Sequence, residues 1–231
     1  MDMDVTRMPR YYPIMADLEG VPCLVVGGGT IAERKLSGLL ECGAAVTVVA
    51  PEWTDGIEAW RQQGEVELRA KRYAPGDLAD AALVFAATDS REVNRMVCEQ
   101  AEAEGRWASN AAEPESGRFV VPASLRRGKL LLAVSTSGAS PGLAAQIRDE
   151  LAASYGDEYE AMLEFLEAFR QEMKHRLPDE RARRAWARRL LTADLPAVVR
   201  SGGWETFCRA RLAELRQDPA YRHEPPAGSD K

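Results

Sequence analysis

Apolar and polar positions follow three different rhythms along this chain, and the changes of rhythm divide it. From about residue 11 to residue 112, short apolar runs alternate with amphipathic stretches. These are Cys23–Val26, Ala32–Cys42, Val46–Ala50, Gly56–Gln63, Val66–Arg69, Leu83–Ala87, Arg91–Glu104 and Trp107–Asn110. Strand and helix in turn predict an α/β fold, with a Rossmann-like parallel sheet covered by helices on both faces. The next segment, about 113–140, holds two strand patterns, Phe119–Ala123 and Lys129–Ser135, joined through Arg126-Arg127-Gly128. The second is apolar on successive residues, so both its faces should be covered. An isolated strand pair is only marginally stable. It therefore packs on the sheet or, as a small β dimerisation segment of a homodimer, on the same segment of another subunit.

From about residue 141 the period becomes helical. Ser140 followed by Pro141 reads as a helix cap with proline at the first helical position. Tyr159, Met162, Leu163, Leu166, Phe169 and Met173 recur at spacings of three and four, giving one apolar stripe that reads as core. Arg181, Arg183, Arg184, Arg188 and Arg189 crowd the next helix, with Trp186 and Leu190 as its buried side. That charge run is either a solvated face or an anion site. The end of the chain, from Pro225, reads as disordered. The expected division is 1–112, a cofactor-binding Rossmann domain; 113–140, the β segment; and 141–231, a helical domain with a disordered tail.

The first strand runs into Gly27-Gly28-Gly29-Thr30-Ile31-Ala32, a strand, a tight turn and a helix start. This matches G-x-G-x-x-G/A. Gly27 makes the turn, Gly29 lets a pyrophosphate approach the backbone, and Ala32 lets the helix pack close to the strand. The free N–H groups at Thr30 and Ile31 then face the phosphates. The second strand ends at Pro51-Glu52, where such a site wants an acid for the adenosine ribose. Glu52 is the candidate, and no arginine follows at once to hold a 2′-phosphate, which favours NAD over NADP. Alternatively, Glu52 is only the first-turn acid of a helix Glu52–Gln63. Thr88 and Asp89 fall at the carboxyl end of the fourth strand, where open α/β sheets bind ligands. Asp89 can equally serve only to cap the following helix.

Composition narrows the function further. The chain has 231 residues and a net charge of −6, which argues against a general nucleic-acid binder. No run reaches the roughly 18–20 apolar residues of a membrane span. Met1-Asp2-Met3-Asp4 is acidic and no apolar run follows, so no secretory signal is expected. Cys23, Cys42, Cys98 and Cys208 form no C-x-x-C pair and read as reduced thiols of a cytoplasmic protein. The only histidines, His175 and His223, are far apart, and no metal-ligand spacing occurs. No metal site is expected.

Several motifs together resemble the precorrin-2 dehydrogenases of sirohaem synthesis. They are Tyr12-Pro13-Ile14, the glycine turn with Glu33-Arg34-Lys35, Ala86-Ala87-Thr88-Asp89 with Val93-Asn94, Asn110-Ala111-Ala112-Glu113 with Phe119–Ala123, and Ala133–Pro141. The order and spacing match from about residue 12 to 151. The resemblance implies that NAD⁺ takes a hydride from precorrin-2, a reduced tetrapyrrole, to give sirohydrochlorin. In some members Fe²⁺ then enters as a further substrate. It also implies that the carboxylate after Asn-x-x serves the proton step and chelation. Here that residue is Glu113, one methylene longer than the family's aspartate. Asn110, Ser135, Thr136 and Ser137 are the implied substrate-side residues, although the hydroxyls can equally satisfy backbone groups in the turn. Larger members carry a methyltransferase domain, and here methylation is expected to be done elsewhere. The rival reading is a non-catalytic NAD-binding dimeric regulator.

Overall fold

The computed structural model describes residues 10–222. His223, the tail from Pro225 and the acidic N-terminal residues lie outside them. The described chain divides into two compact units, one reaching Val121 together with Ser137–Ala139, the other formed by Pro122–Thr136 and the residues from Ser140 onward.

In the first unit, β1 (Pro22–Val26), α1 (Thr30–Leu40), β2 (Ala45–Ala50), α2 (Asp55–Gln63), β3 (Val66–Ala70), β4 (Leu83–Ala86), α3 (Arg91–Ala103) and β5 (Trp107–Asn110) follow in order. The five strands are parallel in the order β3-β2-β1-β4-β5. The order reverses between β1 and β4, so a crevice opens beyond their carboxyl ends. Alternate residues of β1 serve opposite faces. Cys23 and Val25 join Ala32, Leu36 and Leu39 of α1, whereas Leu24 and Val26 join Val97, Cys98 and Ala101 of α3. That double burial is why β1 is apolar at every position. Each buried Val or Leu contributes about 1.5–3 kcal/mol.

The second unit holds the antiparallel hairpin β6 (Ala123–Arg127) and β7 (Leu130–Val134), then α4 (Pro141–Ser154), α5 (Glu158–Arg176), α6 (Glu180–Leu190), α7 (Leu195–Arg200) and α8 (Trp204–Arg216). Phe169, Met173, Leu177, Trp186, Leu190 and Leu215 form its core, so the apolar stripe of α5 is packing surface. The arginines of α6 are largely spent on structure. Arg183 donates to the carbonyls of Leu177 and Pro178, Arg184 pairs with Glu180 and Arg189 with Glu214.

Three local expectations are corrected. Phe119–Val121 are not strand, and β6 begins only at Ala123. Pro122 has no N–H for a ladder, and Phe119 instead packs edge-on against Phe85 of β4, with ring centroids 5.3 Å apart. The cap of α2 is Thr54, whose hydroxyl accepts from the N–H of Ile57, so Glu52 lies outside the helix. The cap of α3 is Ser90, accepting from the N–H of Val93, and not Asp89.

Candidate active site

The carboxyl ends of β1, β2, β4 and β5 bring most of the expected residues to one edge of the sheet. Gly27 has φ +123°, and a Cβ there would lie 2.2 Å from the carbonyl oxygen of Ala87. Its amide donates to Val49 at 3.0 Å. Gly28 is pressed against the loop after β2, where a Cβ would lie 2.0 Å from the carbonyl oxygen of Glu52 and 2.9 Å from the Cα of Trp53. Its carbonyl accepts from the N–H of Thr54 at 3.0 Å. Gly29 differs from both. It is the residue before α1, its φ is −82°, and no side chain caps the helix start. A Cβ at Gly29 would meet nothing within 4 Å. Two glycines thus build the turn, and the third opens onto free space at the uncapped N–H groups of Thr30 and Ile31. That cradle fits a dinucleotide pyrophosphate.

Pro51 and Glu52 are exposed just beyond β2. The neighbouring Trp53 is partly buried, and its indole N–H donates to Glu58 at 2.9 Å. Thr88, after β4, is fixed by Asn94 of α3. The Asn94 carboxamide oxygen accepts from the Thr88 amide at 2.9 Å and from its hydroxyl at 2.8 Å, and its N–H donates to the Thr88 carbonyl at 2.9 Å. Asn94 is fully buried. Asn94 shares the buried stripe of α3 with Val97, Cys98 and Ala101, which marks it in the sequence as a buried carboxamide but does not name its partner.

Asn110 ends β5 and is 1% exposed. Its carbonyl oxygen accepts from the amides of Ala112 at 2.9 Å and Glu113 at 3.1 Å, while its N–H donates to the Ser116 hydroxyl at 2.8 Å. That hydroxyl in turn donates to the Glu113 carbonyl. Asn110 therefore shapes the loop that presents Glu113, and its side chain is committed to that task. The Glu113 carboxylate faces α3, where Arg95 Nη2 lies 3.2 Å from Oε2 and Arg91 Nη1 lies 4.0 Å from Oε1. Neither arginine was singled out by the sequence pattern, because charges on the outer face of a helix look alike until the fold sets one against a loop.

Ser135 and Thr136 follow β7 and belong to the second unit. The Thr136 hydroxyl donates to the Ser140 carbonyl at 2.9 Å and accepts from the Ser140 amide at 3.1 Å. Ser137 adopts the left-handed φ of 53°. The turn before α4 thus uses Thr136 as a backbone partner.

Cys23 and Cys98 are buried and not placed for nucleophilic chemistry. Burial pushes the thiols of Cys23 and Cys98 up to about 11, so neither is a thiolate near neutral pH. Among the described residues, no group of three or more His, Cys, Asp or Glu is placed to hold a metal ion.

Three family models match successive stretches. "Putative NAD(P)-binding" covers residues 14–123, "Sirohaem biosynthesis protein central" covers 127–154, and "Sirohaem synthase dimerisation region" covers 158–215. A siroheme synthase of Chromobacterium violaceum is 38% identical over 203 residues, 88% of this chain and 43% of that protein. A precorrin-2 dehydrogenase of Priestia megaterium is 36% identical over 173 residues, 75% of this chain and 85% of that protein. The chain thus spans under half the length of the siroheme synthase and most of the dehydrogenase. The solved structure of SirC, a precorrin-2 dehydrogenase, superposes with a TM-score of 0.77 at 29% identity, covering 90% of this chain and all of that one. With its dinucleotide-type glycine turn, its Asn110-shaped loop carrying Glu113 and these likenesses, the chain belongs to the precorrin-2 dehydrogenase family of sirohaem biosynthesis.

Proposed function

We propose that the protein oxidises precorrin-2 to sirohydrochlorin with NAD⁺. One arrangement carries this reading: a loop carboxylate at the end of β5, separated only by β4 from an open glycine turn, in a chain that matches 85% of the length of a precorrin-2 dehydrogenase. When bound, the nicotinamide supplies the hydride acceptor. Gly27, Gly28, Gly29, Thr30 and Ile31 cradle the pyrophosphate, and Pro51 and Glu52 border the adenosine ribose. Thr88, locked by Asn94, walls the crevice with its backbone. The remaining task is to place the donor carbon and take one proton. Glu113 is the group for that proton, and Asn110 is its positioning residue. Ser135, Thr136 and Ser137 border the tetrapyrrole on the substrate side.

Residues 1–112 are the NAD domain in this reading, 113–140 the dimerisation segment and 141–231 the helical domain. The active form is a homodimer in the cytoplasm. Among the described residues, no helix is long and apolar enough to cross a membrane. Fe²⁺ insertion is a second step of the same proposal. It must remove two pyrrole protons, so it depends on a carboxylate base more than a dehydrogenation that gains conjugation does. Glu113→Ala should therefore cut iron insertion by about 10²–10⁴-fold and NAD⁺-dependent oxidation by less. The test is anaerobic incubation with precorrin-2 and NAD⁺, then Fe²⁺, followed by absorbance. A wild type that binds NAD⁺ but leaves precorrin-2 unchanged supports the regulator instead. Equal affinity for NAD⁺ and NADP⁺ overturns the role of Glu52.

A further inference from the structure

The carboxylate assigned to the proton step is not free. Arg95 Nη2 lies 3.2 Å from one oxygen of Glu113 and 3.4 Å from the other, and Arg91 lies 4.0 Å away. Arg91 and Arg95 are four residues apart on α3 and share one face. Their side chains are 77% and 57% exposed, against 19% for Glu113. The carboxylate is thus largely covered, while the two cations are open to solvent. Arg95 reaches Glu113 through a single nitrogen, while Nε and Nη1 make no hydrogen bond among the described residues. A guanidinium binds a carboxylate best through two parallel N–H bonds, so Glu113 is held in the poorer of the two available geometries. Two arginines thus face the one carboxylate.

We propose that Arg91 and Arg95 form a carboxylate-binding site that Glu113 occupies in the substrate-free protein, and that an acidic side chain of the tetrapyrrole displaces Glu113 from it. The proposal rests on the substrate reading above. The ligand class is a polycarboxylate, and its carboxylate takes the unused edge of the Arg95 fork with Arg91 beside it. The exchange replaces one carboxylate by another, so both arginines stay paired while Glu113 is set free. An ion pair between such exposed arginines and a carboxylate is weak enough to be exchanged readily. The loop need not move, because Asn110 holds the Glu113 backbone at its amide and, through Ser116, at its carbonyl. Only the side chain swings. While it accepts from Arg95, its lone pairs on that side are not open to a substrate proton. Substrate capture and release of the base thus become one event. The longer side chain of glutamate suits this, since the same residue must reach α3 in one state and the substrate in the other.

The two partners of the latch should act in opposite directions on binding. Sirohydrochlorin is titrated anaerobically into the wild type, Glu113→Gln and Arg95→Gln, with absorbance as the readout. Glu113→Gln removes the internal competitor and should tighten binding by up to about fivefold, even as turnover of precorrin-2 falls. Arg95→Gln should weaken binding and raise KM by about tenfold or more, with kcat much less affected. Arg95→Lys, which keeps the charge and loses the fork, should fall between. Unchanged or weaker binding by Glu113→Gln overturns the latch, as does an Arg95→Gln variant that loses kcat at an unchanged KM. If the wild type neither binds sirohydrochlorin nor oxidises precorrin-2 with NAD⁺, the substrate reading falls and the latch with it. If it does both and the variants do not move oppositely, the latch alone falls.

Discussion

Strands β1 and β7 carry the same sequence signal, apolar residues at successive positions, and meet different surroundings. Cys23, Leu24, Val25 and Val26 of β1 are each 2% exposed or less. No residue of β7 reaches that burial, and Ala133 is exposed in the single chain. The difference lies in what covers each face. β1 has α1 on one side and α3 on the other. The hairpin has Leu125 buried on the face it shares with Leu132, beside α4 and α5. Its other face, carrying Ser124 and Ala133, Arg126 and Leu131, lacks that cover. An apolar run therefore states that a strand needs two covers, but not whether one chain supplies both.

The sheet unit should be the less forgiving of the two, and its glycines give the largest effect. Gly27→Ala puts a methyl group against the Ala87 carbonyl at a left-handed φ. The expected loss is about 2–3 kcal/mol or more, read as a lower denaturation midpoint at an unchanged slope. A Cβ at Gly29 meets no atom, so Gly29→Asp should keep that midpoint, yet it places a negative side chain where the proposed pyrophosphate would lie and should abolish NAD⁺ binding by calorimetry. If both variants unfold alike, or Gly29→Asp still binds NAD⁺, the separation of turn-building from cofactor-facing glycines is wrong.

The uncovered face of the hairpin supplies the next test. Leu131→Asp adds a charge on the face opposite Leu125, so the fold of the single chain should survive. A homodimer that buries this face should weaken by about 100-fold, seen as monomer by light scattering at micromolar concentration. A wild type that is already monomeric there removes the reason for the apolar run. A Leu131→Asp dimer as tight as wild type moves the interface elsewhere.

Legibility in the sequence followed the same divide. The alternation of strands and helices, the glycine turn and the core stripe of α5 could be read because each rests on a period or a local backbone need. Pro122 defeated the strand expected at Phe119–Ala123, since an apolar run says nothing about where ladder N–H groups are needed. The alternative in which Glu52 only begins a helix and the one in which Asp89 only caps one both failed, because Thr54 and Ser90 took the caps. The turn at Gly27–Ile31 could be picked out because its backbone need is local, whereas Asn110 and Glu113 were picked out only through the family resemblance. The site was not legible where partners meet only in three dimensions, as with Asn94 against Thr88 and Arg95 against Glu113.

The smallest expected effect concerns how the sheet unit anchors the loop beside Glu52. Glu58 of α2 accepts from Trp53 at 2.9 Å, from Arg61 Nε at 2.8 Å and from Gln62 at 2.9 Å. Arg61 first, then Gln62 and Trp53, hold its carboxyl down at about 2, against an ordinary value of 4.5. A carboxyl lowered in the folded state binds its proton more readily when unfolded, so stability rises with pH across that interval. The contribution is complete above about 4.5 and is lost as the pH falls through about 2. Glu58→Gln keeps an acceptor for the indole and cannot titrate. The wild type should therefore melt higher than Glu58→Gln above pH 5, and the gap should close between pH 4.5 and 2. The gap should be small, since the group is solvent-screened. A gap that persists unchanged at pH 2 would show that Glu58 stabilises through its shape and not its charge. NAD⁺ affinity measured on the same variant then reports whether the Trp53 anchor matters for the cofactor edge of the sheet, a role the hairpin unit has no means to share.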